Sequence, residues 1–298
     1  MPEGTQPTSQ ENTADDEPTR LVNALIADGA RWAPPASVTW NGGMWCGAHE
    51  PSLSYPDDGQ LATDSGEPGW WFEARAQLIA GYLAKSQVEG SIWDVGGGNG
   101  TMAQCLSNRG CPPVVVVEPM RESAKRAIPR GAAVFACTLA EVGLPPESLP
   151  AAMLLDVIEH VRDPVPLLRQ LRPLLVPSGP LIVTVPAHRS LWSNVDIAGG
   201  HYRRYSRGLL RTTLEAGGFR LTAMRHVFQS LYLPALFARR LQSHRSGAAN
   251  LAADRQRLHP NALVERSLRY VTAMENRVPD RLAAPFGTSL LAVAQPRQ

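Results

Sequence analysis

Apolar residues along this chain follow two rhythms. Five short, continuous apolar runs stand at 91–95 (SIWDV), 114–117 (VVVV), 133–136 (AVFA), 151–155 (AAMLL) and 180–185 (PLIVTV). Runs without polar alternation are what strands covered on both faces look like. Stretches with helical spacing at 101–109, 121–128 and 163–175 separate most of them, and another follows at 206–216. This order predicts an α/β fold, an open, mostly parallel Rossmann-like sheet with helices on both faces. Two more strand candidates, 219–227 (FRLTAMRHV) and 288–294 (TSLLAVA), flank a helical insertion at about 228–287.

Upstream, WWFEARAQLIAGYLAK (70–85) spaces Trp71, Ala74, Leu78 and Tyr82 along one helical face. Residues 19–35 read as a short helix ended by Gly29 and the prolines. Residues 36–69, rich in Gly, Pro, Ser, Asp and Trp, read as an ordered loop region. The first 18 residues carry five acids and no base, and read as a disordered tail. The chain is therefore expected to comprise a tail (1–18), an N-terminal helix and loop region serving as a lid (19–69), and one main domain (70–298). No internal repeat is visible.

Composition narrows the classes. With 44% hydrophobic and 19% charged residues the chain is ordinary for a soluble globular protein. No apolar run approaches the roughly 18–20 residues of a membrane span, and the N-terminus lacks the basic and apolar regions of a secretory signal. A cytoplasmic location is expected, with Cys46, Cys105, Cys111 and Cys137 as reduced thiols. CGAH sets Cys46 and His49 at ligand-like spacing, but no second pair accompanies them, so no metal is expected.

The net charge of +2 conceals fifteen arginines against five acids in residues 203–281. A solvated helical surface is the plain reading, and attraction of an anionic substrate or membrane surface the sharper one. The apolar stretch 227–237, ending at Arg239 and Arg240, reads as a buried helix or dimer contact, with peripheral membrane contact the lesser alternative. A monomer or homodimer is expected. No nucleic-acid-binding module is visible, so no nucleic-acid partner is expected.

The chemistry concentrates at the first strand-to-helix turn. DVGGGNG (94–100) places four glycines within 96–100, although each costs roughly 0.5–1 kcal/mol relative to alanine in a regular element. In a parallel sheet, ligands bind beyond the strand C-termini, so bare backbone here suits a ligand touching the main chain. A dinucleotide fingerprint would require glycine at 101, where threonine stands, and Asp94 would repel a pyrophosphate while suiting a cationic ligand. Glu118 follows the second run, placed to accept hydrogen bonds from ribose hydroxyls. Asp156-Val157-Ile158-Glu159-His160 ends the fourth.

These segments resemble the cofactor motifs of class I S-adenosylmethionine-dependent methyltransferases. YPDDG (55–59), WWFEAR (70–75), LWSNVDIAGGHYRRYS (191–206) and PFGTSLLAVA (285–294) are similar to the signatures of a bacterial small-molecule subgroup. The resemblance covers about residues 50–296. It implies a seven-stranded sheet whose last strand, 288–294, runs antiparallel, with S-adenosyl-L-methionine as cofactor. It implies that Asp94, Gly96, Gly98 and Gly100 wrap the methionine part and that Glu118, with Pro119, takes the ribose. Thr138 and Leu139 would flank the adenine, with Cys137 standing where the family usually has an acid. Asp156 and Val157 line the same edge, and Phe72 and Arg75 lie over the cofactor, Arg75 toward its carboxylate.

Methyl transfer from a sulfonium needs alignment and, for a poor nucleophile, a base. Alignment can contribute on the order of 7–11 kcal/mol, and a general base typically about 10²–10⁴-fold. His160 and His201 are the candidate catalytic histidines, each also readable as a loop-holding or binding residue, and His188 as solvent-exposed. Arg203 and Arg204 suit a carboxylate or phosphate, or one of them pairs with Asp196 to hold the loop. Tyr55, Trp71, Trp192 and Tyr205 complete the candidate acceptor surface. The expected activity is methyl transfer to a small molecule, polar or anionic, with O-methylation slightly favoured over N- or C-methylation. A cofactor-binding partner subunit without catalysis and a nicotinamide-dependent oxidoreductase are the alternatives from other classes.

Overall fold

A computed structural model describes residues 17–48, 68–242 and 261–297. Each of the five apolar runs, and both further strand candidates, forms a strand: β3 (Ile92–Val95), β4 (Val114–Val117), β5 (Ala133–Ala136), β6 (Ala151–Leu155), β7 (Leu181–Pro186), β8 (Phe219–Val227) and β9 (Ser289–Pro296). Among the described residues the sheet has nine strands, not seven, because the segment read as loop contributes β1 (Val38–Asn41) and β2 (Met44–Gly47). These two pair antiparallel with Asn41 opposite Met44. Their two-residue connection, Gly42-Gly43, has positive φ at both positions (58° and 85°), the twist that closes a tight hairpin. β2 then adds in parallel to the edge of β5.

Strand order is β1-β2-β5-β4-β3-β6-β7-β9-β8. The pairs among β3–β7 are parallel, and β9 runs antiparallel to both β7 and β8. The chain thus reverses its direction of build at β3, between β4 and β6. There the strand C-termini diverge and open a crevice.

Both faces are covered, which accounts for the continuous apolar runs. In β4, Val115 and Val117 face one core with Trp93, Phe135 and Leu154. Val114 and Val116 face the other, with Ile92, Met153 and Ile182. The first core is closed by α1 (Glu17–Leu25), by α6 (Val165–Leu171) through Leu168 and Leu171, and by α8 (Arg207–Ala216) through Leu210 and Leu214. The second is closed by α2 (Trp70–Lys85), α3 (Thr101–Ser107) and α4 (Arg121–Ala127). Short helices α5 (Leu139–Val142) and α7 (Asn194–Ala198) follow β5 and β7.

The insertion forms α9 (Tyr232–Gln242) and α10 (Ala262–Arg277), α10 lying along α2. In the stretch read as a buried helix or dimer contact, Leu233 and Phe237 of α9 face solvent, as do Leu263 and Tyr270 of α10. Among the described residues, no helix is long and apolar enough to cross a membrane.

Candidate active site

The crevice at the strand C-termini is a cavity of about 450 Å³. Its floor is the turn after β3. Gly96 has φ 79°, and a Cβ there would stand 2.7 Å from a Val157 methyl, so only bare backbone lets the two loops close together. Asp94 is 1% exposed, and its Oδ1 has no hydrogen-bond partner in the protein. Burial pushes its carboxyl up to about 7, against the pull of Arg75 and with a further push from Glu118. Glu118, just past β4, accepts from the Gly98 amide (2.9 Å) through Oε2 and from the Met120 amide (2.9 Å) through Oε1. Burial raises its pKa, and those two amides counter the rise.

Arg75 comes from the second turn of α2. Its Nη1 donates to Asp156 Oδ2 at 2.6 Å, its Nη2 donates to Thr184 Oγ1, and its guanidinium carbon lies 4.0 Å from the Trp71 ring centroid. Asp156, at the end of β6, holds φ 55°, a left-handed conformation that aspartate tolerates better than most residues. Trp71 and Phe72, ring centroids 5.0 Å apart, form the wall above. On the opposite side, Pro119, Thr138, Leu139 and Cys137 line the cavity. Cys137 is fully buried, its thiol pushed up to about 12 by burial and by the Glu141 and Cys46 side chains. The nearby acid, Glu141, is committed to the Thr138 amide and hydroxyl, both at 2.8 Å.

The far end is built by two loops. His160 lines the cavity, and His201 stands behind it, rings edge to face with centroids 4.6 Å apart. Burial, and secondarily His201, lowers the His160 pKa to about 4, so the ring is neutral at pH 7. His201 Nδ1 meets Asp196 Oδ1 at 2.9 Å, while Arg204 grips the same carboxylate with Nε (2.7 Å) and Nη2 (3.1 Å). Burial of Asp196 opposes ionisation, but the bonds from His201 and Arg204 outweigh it and hold the carboxyl at about 2. An ionised Asp196 can only accept, so His201 carries a proton on Nδ1 and donates it to that contact. Glu159 is fully buried beside them, with no hydrogen-bond partner on any other residue for either oxygen. Burial, and then the charge of Asp156, raises its pKa well above the carboxylate range.

Residues 70–224 match the family model of the methyltransferase domain, which is just over half of the chain. The chain belongs to this family. It is an S-adenosyl-L-methionine-dependent methyltransferase. Among solved structures it resembles the methyltransferase bound to the Trm112 activator in a Haloferax volcanii complex (16% identity, 82% of this chain, 98% of that one, TM-score 0.53). It also resembles a Galdieria sulphuraria protein assigned as a sarcosine dimethylglycine methyltransferase (15%, 75% and 85%, 0.50). Phosphoethanolamine N-methyltransferase 2 of Haemonchus contortus, in complex with S-adenosyl-L-methionine, matches at 15% identity over 83% of this chain and 60% of that one, with TM-score 0.48. At these identities the likeness is one of fold. No curated protein matches the sequence.

The residues fit the cofactor. A buried, unpartnered carboxylate oxygen on Asp94 suits an ammonium group, and each Glu118 oxygen keeps a lone pair beyond the amide it accepts. Around one cavity this methyltransferase gathers Asp94, Gly96, Gly98, Glu118, Pro119, Thr138, Leu139, Asp156, Val157, Phe72, Arg75, Trp71 and His160. Gly100 lies outside the lining, at the N-terminus of α3 against Ala127 of α4. His201 is one layer behind His160. Arg203 donates to the carbonyls of Val161 and Arg162, and Arg204 is spent on Asp196, the loop-holding alternative. Tyr205 is fully buried and donates to the Ile158 carbonyl, and Trp192 stands outside the lining. Tyr55 and His49 lie outside the described residues.

Three participants escaped sequence reasoning. Thr184, inside the run PLIVTV, carries no signal that it will anchor Arg75. Asp196 had been placed only as an arginine partner, not as the residue that orients His201. Glu159 stood in view within DVIEH, but an acid beside a histidine does not announce complete burial.

Proposed function

We propose that this enzyme O-methylates a small molecule carrying a hydroxyl group. The observation that supports this reading is the pair of imidazoles at the far end of the cavity, His160 neutral and in the lining, His201 one layer behind and oriented by Asp196. In this reading Asp94 receives the ammonium of S-adenosyl-L-methionine, Arg75 its carboxylate, and Glu118 its ribose hydroxyls. The bound cofactor supplies an electrophilic methyl group, and everything else falls to the protein.

Trp71 and Phe72 exclude water and narrow the approach to the methyl. His160 and His201 serve the removal of the hydroxyl proton, a step that an amine nucleophile would not need. Arg203 and Arg204 are occupied by loop carbonyls and by Asp196, so they do not supply an anion-binding pair. Acceptor recognition rests instead on Trp71, His160 and Gln170 of the lining. The resemblance of LWSNVDIAGGHYRRYS to a bacterial small-molecule subgroup accords with this reading, and Gly199 of that segment lines the cavity.

The test pairs hydroxyl acceptors with their amine analogues under labelled cofactor and identifies products by mass spectrometry. An O-methyl product is expected, and His201→Ala should lower its turnover by about 10²-fold while S-adenosylhomocysteine binding stays within twofold of wild type. An N-methyl product formed at an unchanged rate by His201→Ala would overturn the proposal.

A further inference from the structure

The unexplained group in this molecule is Glu159. Its side chain is fully buried, and neither oxygen has a hydrogen-bond partner on any other residue. Native structures satisfy nearly all buried polar groups, so one left over asks for a cause. A neutral carboxyl would not supply one, because its O–H and C=O would remain without partners.

Beside it stand the two histidines. One ligand atom each from Glu159, His160 and His201 lies within 4.8 Å of the others. Ligands held about 2.1 Å from a common ion are roughly 3–4 Å apart, a separation that small side-chain rotations would reach. His201 is prepared for such a role: Asp196 accepts the hydrogen bond from its Nδ1–H, and Arg204 fixes Asp196 in turn. That carboxylate–histidine arrangement orients a ring and raises its basicity at metal centres. Asp156, three residues before Glu159, adds negative charge at the same end, countered by Arg75 and Arg204.

From this geometry we infer that Glu159, His160 and His201 form a binding site for a first-row divalent transition-metal ion at the acceptor end of the cavity. Two imidazoles and one carboxylate on one side of an ion leave positions open on the other, and the mixed nitrogen–oxygen set favours Mn²⁺, Fe²⁺, Co²⁺ or Zn²⁺ over Mg²⁺ or Ca²⁺. His160 lines the cavity, so the open positions face the acceptor. The inference rests on the O-methylation reading for its purpose. Held as ligands, His160 and His201 would promote removal of the acceptor's proton through the ion and not as free bases, and the bound acceptor oxygen would lose that proton to water more readily. It would then form the C–O bond to the methyl group as the S–C bond breaks and its electron pair passes to sulfur. The site departs from the expectation that the protein has no metal.

The test is calorimetric titration of the full, untagged chain, stripped with chelator, with MnCl₂ and ZnSO₄ separately. S-adenosylhomocysteine is titrated into the same samples to report an intact fold. One equivalent of ion is expected, weakened at least tenfold in Glu159→Gln and in His201→Gln, with S-adenosylhomocysteine binding retained. Co²⁺ added to the wild type should show visible absorption bands of a protein-ligated ion, a readout that does not depend on any variant folding. Protein that binds S-adenosylhomocysteine but takes up neither ion, or variants that bind the ion like wild type, would overturn the site. Failure of S-adenosylhomocysteine to bind the wild type would count against the functional reading alone, because ion uptake is measured without cofactor or acceptor.

Discussion

Asp94 and Glu118 are two acids in one cavity, and their surroundings give them different work. Glu118 already accepts two amide bonds and offers its remaining lone pairs, while Asp94 has a buried oxygen with nothing to bond. Its carboxyl, at about 7, is largely neutral at pH 6 and largely ionised at pH 8. An ammonium group binds the ionised form. S-adenosylhomocysteine affinity should therefore rise about tenfold from pH 6 to pH 8, following the ionised fraction of a single group near pH 7. Asp94→Asn should bind more weakly at pH 8 and show a flat profile. A slope unchanged in that variant would assign the titration to another residue. Both acids were legible in the sequence because each directly follows or ends an apolar run. Thr184 and Glu159 were not, since their roles depend on what the folded chain lays against them.

At the scale of elements, the strands were legible wherever burial on both faces wrote a continuous apolar run. β1 and β2 were missed although their hairpin was spelled out. Asn41-Gly42-Gly43 is a strong turn signal, but four-residue strands on either side leave too few positions for a period to show. The hairpin is no surface ornament. Trp45 is 4% exposed and meets Trp32 edge to face at a centroid distance of 5.0 Å, and Phe135 of β5 at 6.4 Å. Trp45→Ala should cost about 3–5 kcal/mol in urea unfolding. A loss under about 1 kcal/mol would mean that the segment does not belong to the core. The loop 191–206 shows a motif whose residues were legible while the choice between binding an acceptor and holding the loop was not. Its arginines bond to loop carbonyls and to Asp196, and its histidine packs against His160, which lines the cavity.

For the whole molecule, the reversal of strand order at β3 explains why chemistry collects where it does. The β3, β4 and β6 C-termini bring Asp94, Glu118 and Asp156 to one crevice, α2 supplies Arg75 from above, and the segment after β7 closes the far end. The family match ends at residue 224, whereas β9 and α10 complete the sheet and brace α2. The central claim is that this crevice is the S-adenosylmethionine site and that Glu118 holds the ribose. The most direct test is calorimetric titration of the full chain with S-adenosylhomocysteine, NAD as a parallel control, on wild type and Glu118→Ala. Binding of S-adenosylhomocysteine alone, weakened in the variant by at least about 1 kcal/mol, is the predicted result. Equal binding by wild type and variant would contradict the placement of the site.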